Sequence, residues 1–189
     1  MAGLYKMAEK KRRSRRDYLN DFRPNVAGEY VYTGTLYTIC ATEDEKKSLR
    51  RRLAAQAAGI VLAVVLAGSV NSAGMTDCAY VLLPYAGEAI AAFVTVWSLV
   101  RLLGGGDPLR AYIYEGAVKK LPDRAMILAV LTGVSAGGLL LYLILHGFGG
   151  KTVGTLICLA TKAAQLLLAR EVRRTLSKAA WVPQDKRAE

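Results

Sequence analysis

Between Leu53 and Arg170 four apolar stretches alternate with short polar connectors. They cover about Leu53–Val70, Val81–Leu103, Ala125–Leu145 and Thr152–Ala169. A hydrocarbon core of about 30 Å takes about 20 apolar residues as an α-helix, and each stretch has that order of length. In lipid the backbone must satisfy its own hydrogen bonds, so each stretch is predicted to be a helix. Runs this long and this apolar favour the membrane over a soluble core. The fold class expected is an all-α membrane protein whose four transmembrane helices form a bundle over residues 43–178.

Charge sets the expected orientation. Residues 1–52 hold thirteen Lys and Arg, and the chain from Arg170 holds six more. The first connector, Asn71–Tyr80, has no Lys or Arg, and the third, His146–Lys151, has Lys151 alone. The second, Gly104–Arg124, carries Arg110, Lys119, Lys120 and Arg124. Lys and Arg near span ends stay on the cytoplasmic side. Both termini and the central connector are therefore expected inside. The expected location is a bacterial plasma membrane, the bacterial assignment being a default. The first apolar run starts about fifty residues in, behind a polar segment, so it is expected to persist as an anchor and not be cleaved.

The polar ends have their own patterns. Residues 1–16 form a basic tail centred on Lys10, Lys11, Arg12, Arg13, Arg15 and Arg16. Beside a membrane such a cluster suits anionic headgroups, each cation gaining about 1 kcal/mol. Nucleic acid is the less economical partner, and a solvated tail that only sets topology is the plain alternative. Residues 17–42 form a cytoplasmic segment that is richer in strand-forming residues. Glu29–Ile39 reads as two short strands about a Thr33-Gly34 turn, with Tyr32 opposite Thr35 and Tyr30 opposite Tyr37. A lone hairpin is marginal in water, so Tyr30, Tyr32 and Tyr37 form a candidate partner or lipid surface.

Thr42-Glu43-Asp44-Glu45 has the form of a capping box, which predicts a first helix starting near Glu43 and running unbroken into the membrane. Asp107-Pro108 reads as a helix start. Leu109, Tyr112, Ile113, Ala117 and Leu121 then fall at helical spacing, predicting a short amphipathic helix in the interface between spans two and three. After the fourth span, Arg170, Arg173, Arg174 and Lys178 are expected to continue the helix, with residues 179–189 as a cytoplasmic tail.

Small residues let helices approach closely in lipid. Ala55, Gly59, Ala63 and Ala67 make one stripe, Gly87, Ala91 and Thr95 a second, and Gly133 and Gly137 a GxxxG pair. These are expected helix contacts, within one chain or between copies.

Polar groups inside spans are costly and mark candidate sites. Glu88 falls roughly 10 Å below the outer end of span two, and Lys162 roughly 15 Å below the outer end of span four. Two long side chains reach across such a gap if their helices adjoin. One outcome is a buried pair that fixes helix register, the favoured reading. The other is a proton- or cation-linked site, with Tyr85 and Asn71 beside the carboxylate. Pro84 would then break the helix and free carbonyls for a ligand. His146 stands alone at a span end. Gly149-Gly150-Lys151-Thr152 lacks the first glycine and the preceding strand of a phosphate-binding loop. Cys40, Cys78 and Cys158 have no metal spacing. No catalytic residue, metal site or cofactor is expected. The expectation is a non-enzymatic membrane protein acting by association, as an accessory, scaffold or regulatory subunit or as a homo-oligomer. The alternative is a small transporter or channel using Glu88.

Overall fold

The computed structural model describes residues 21–24, 28–70, 72, 74–75, 78–147, 149 and 151–184. Lys10, Lys11, Arg12, Arg13, Arg15, Arg16 and Asn71 lie outside the described residues, as does the end of the chain from residue 185. Three short strands come first: β1 Phe22–Pro24, β2 Tyr30–Tyr32 and β3 Leu36–Ile39. Helices α1 Glu43–Ser69 and α2 Ala79–Gly104 follow. After the two-residue strand β4, Leu109–Arg110, come α3 Leu121–His146, α4 Thr152–Lys178 and strand β5 Trp181–Gln184.

All four long helices are long and apolar enough to cross a membrane, the make-up of an integral membrane protein. At 26 or 27 residues each is about 40 Å long, so each overshoots a hydrocarbon core of about 30 Å. The helices form a ring in which α1 packs on α2 and α4, and α3 packs on α2 and α4. Helices α2 and α4 thus face each other diagonally. The surface is apolar: Leu62, Ile90, Phe93, Ile144, Val153 and Leu167 are all exposed. The interior is apolar as well but also encloses polar and charged groups, among them Glu88, Lys162 and Gln165.

Helix α1 begins as its sequence predicts. The Thr42 hydroxyl accepts from the Glu45 amide at 3.4 Å, and the Glu45 carboxylate accepts from the Thr42 amide at 2.9 Å. Helix α2 corrects the expected break, because it runs through Pro84. Proline lacks the N–H that would bond the carbonyl four residues back, here Tyr80. Gly138 of α3 packs against that carbonyl so closely that an added Cβ would lie 2.8 Å from the Tyr80 oxygen. The freed group therefore faces a neighbouring helix.

The strands correct the expected pairing. A small hairpin is present, but β2 pairs with β1, setting Tyr32 opposite Phe22 and Tyr30 opposite Pro24. Strand β3 instead forms the centre of a separate antiparallel sheet, with Tyr37 opposite Leu109 of β4 and Pro183 of β5. Gly34 takes no positive φ and does not serve as the turn of a Tyr30–Ile39 hairpin. It makes room for the Tyr32 ring, whose hydroxyl would lie 2.5 Å from an added Cβ. The predicted interfacial helix forms only in part, starting at Ala111 and not at Asp107. Asp107–Pro108 is a cis peptide, Leu109–Arg110 is extended, and only Ala111–Ile113 and a π-helical turn at Tyr114–Val118 are helical.

Candidate functional site

Two regions gather side chains with chemistry. The first is the middle of the bundle. Glu88 on α2 and Lys162 on α4 are 0% and 1% exposed, and the Lys162 ammonium donates to Glu88 Oε2. The sequence left open whether these groups pair; they do, across the diagonal of the ring and not between adjoining helices. Tyr85, one turn from Glu88, lies beneath the ammonium at 4.5 Å from nitrogen to ring centre. Such a contact favours a cation over the ring face. The Tyr85 hydroxyl donates to the Val64 carbonyl of α1 at 3.0 Å. Gly68 makes this possible, since a Cβ there would collide with the Tyr85 hydroxyl.

Neighbouring polar groups were not evident from the sequence as a set. Thr95 and Ser98 on α2, Thr132 and Ser135 on α3, and Gln165 on α4 are all buried. Thr95, Ser98 and Thr132 donate to carbonyls four residues back in their own helices. Arg124 reaches in from the start of α3 to Ser98. These residues lie on the inward stripes of their helices, and reading burial from those stripes would have found them. Apolar clusters lie toward the two ends of the bundle: Leu53, Leu99, Leu128 and Val172 toward one, Ala67, Val81, Leu139 and Cys158 toward the other.

The second region is the cap, the sheet β4-β3-β5 over one end of the bundle. Tyr37 stacks on Tyr114 at 4.0 Å, and Tyr114 meets Trp181 at 5.7 Å. Lys46 bridges Asp107 at 2.9 Å and Glu43 at 3.0 Å, while Thr38 donates to Asp107 at 3.0 Å. Burial pushes the Asp107 carboxyl up, but the bonds from Lys46 and Thr38 outweigh it and hold it below its ordinary value. Hydrogen bonds to Asp107 and Glu43 raise Lys46. Beside the cap the β1-β2 hairpin is held by Tyr32, whose hydroxyl accepts from the Ala111 amide at 3.2 Å. Burial is the main cause that raises the Tyr32 phenol. Arg110 lies over the Phe22 and Tyr32 rings at 5.7 and 5.6 Å. Tyr30 is 75% exposed and Val31 is exposed beside it.

The small-residue stripes divide. Gly59 meets Leu168 of α4, Gly87 makes ordinary contact with Leu131, and Ala63 is buried. Ala55 is exposed. Gly133 and Gly137 have nothing within 4 Å of an added Cβ, so the GxxxG pair makes no close contact among the described residues. It lies on the exposed face of α3, where an inter-copy contact would have to form. No family model matches this chain, and neither a curated protein nor a solved structure is similar to it.

Proposed function

We propose that this chain is a non-enzymatic four-span membrane protein that works by association, as an accessory, scaffold or regulatory subunit or as a homo-oligomer. Both termini face the cytoplasm, in a bacterial plasma membrane. The observation that carries this reading is the cap. It gathers residues from before the first long helix, from the central connector and from after the last helix into one sheet. Beside it the hairpin presents Tyr30 and Val31 outward. Exposed aromatic and β-branched residues on a braced scaffold suit a protein surface or a headgroup layer. The basic tail, Lys10 to Arg16, adds attraction to anionic lipid on the same side.

The test is purification of tagged protein from its own membranes in mild detergent, with the mass and composition of the complex determined. A stoichiometric foreign subunit or a defined homo-oligomer supports association. Tyr30→Ser with Val31→Ser should then reduce the assembled fraction while the helix content stays unchanged. A chain that stays monomeric in native lipid removes the proposal.

A second reading, a small proton-linked transporter or channel, draws support from one observation. Glu88 Oε1 has no hydrogen-bond partner among the described residues although it is buried. Reconstituted wild-type protein that moves no protons under a pH gradient ends that reading.

A further inference from the structure

Four buried polar atoms in the middle of the bundle have no partner among the described residues: Glu88 Oε1, Gln165 Oε1, Gln165 Nε2 and Ser135 Oγ. Glu88 and Gln165 are 0% exposed and Ser135 is 1% exposed. Gln165 lies one turn from Lys162 on the buried face of α4, and Ser135 one turn from Thr132 on that of α3. At 1.5 Å per residue from the helix ends, Glu88, Lys162, Gln165 and Ser135 fall within about 6 Å of one height. They come from three helices of one ring, and their faces all turn inward.

A buried polar group without a hydrogen bond costs about 1–3 kcal/mol, and in hydrocarbon more. Four in one layer, beside a paired charge, favour a ligand whose chemistry answers all of them. The set mixes one carboxylate acceptor, one amide acceptor, one amide donor and one hydroxyl that does both. A cation would satisfy the oxygens but leaves the Gln165 N–H unanswered and faces the Lys162 ammonium. An anion faces Glu88. A proton on Glu88 would remove the charge that Lys162 pairs with and does nothing for Gln165. Water both donates and accepts, carries no charge, and binds where two to four polar groups converge.

We propose that the layer between Glu88, Gln165 and Ser135 is a water-binding site, a hydrated layer within an otherwise largely apolar bundle. It stands under either reading of the function above. The ion pair is then not a dry one: water screens it and completes the carboxylate's second oxygen.

Water-edited solid-state NMR on the full chain in lipid bilayers tests this. The Gln165 side-chain amide and the Ser135 Cβ should take up water magnetisation several-fold faster than the methyls of Leu128 and Leu139. Build-up at Gln165 as slow as at those leucines overturns the proposal, and shows that the amide turns to bond Glu88 directly. In Gln165→Leu, uptake at Ser135 should fall several-fold. Uptake there that does not change sinks the shared site. If that variant does not fold, the wild-type comparison alone still decides.

Discussion

Glu88 and Lys162 hold each other in place because neither has another charge to turn to among the described residues of the bundle core. Removing one partner leaves the other buried and uncompensated, at a cost of about 3–5 kcal/mol. Lys162→Met should therefore lower the unfolding midpoint in bicelles sharply, while Glu88→Leu with Lys162→Leu should recover most of the loss. If the double variant is no more stable than the single, the pair does more than neutralise charge. Gly138 makes a second residue-scale case. Alanine there meets a backbone oxygen that cannot rotate away, so Gly138→Ala should destabilise by about 1–3 kcal/mol through forced separation of α2 and α3. Gly137→Ala, with open space around it, should stay within about 0.5 kcal/mol of wild type. Equal effects of the two would show that the close approach to Tyr80 is not what the glycine provides.

Elements differ in how far their sequences reveal them. The capping box and the apolar runs give α1 to α4 nearly to their ends, because hydrophobic length and a local hydrogen-bond pattern decide a helix. Glu88 and Lys162 were legible for a similar reason: a charge in an apolar run must find a partner. The strands were not. Tyr30–Tyr32 and Leu36–Ile39 both form, yet each pairs with a segment that short-range pattern does not indicate. The partner of β3 lies some 145 residues further along, and nothing in either four-residue strand encodes that choice. The Asp107-Pro108 start signal misled because Asp107 is engaged by Lys46 and Thr38 instead of capping a helix. That contact gives the cap a pH dependence. With Asp107 lowered, its contribution is complete above the ordinary carboxylate range and is lost as pH falls through the lowered value. With Lys46 raised, the same contribution is lost as pH rises through the raised value. Trp181 emission in a Trp97→Phe background should follow both edges, and Asp107→Asn should flatten the acid one.

At the scale of the molecule, orientation is the open variable, and two native cysteines report it. Cys40 is exposed beside the cap, and Cys78 is partly exposed at the start of α2, at the other end of the bundle. A membrane-impermeant maleimide should label Cys78 on intact cells and Cys40 only after permeabilisation. The opposite order would reverse the proposed topology. The long-range pairing in the cap carries one more consequence. Strand β3 precedes all four helices and β5 follows them, so β5 leaves the ribosome after all of these elements. The sheet closes only if an even number of crossings returns the chain to the side where it began. If the helices cross the bilayer as proposed, a helix that fails to insert would leave β5 on the far side and β3 with a bare edge. Under the proposed topology the cap would thus close only on a chain with all its crossings made, and a chain that missed one would keep an unpaired strand.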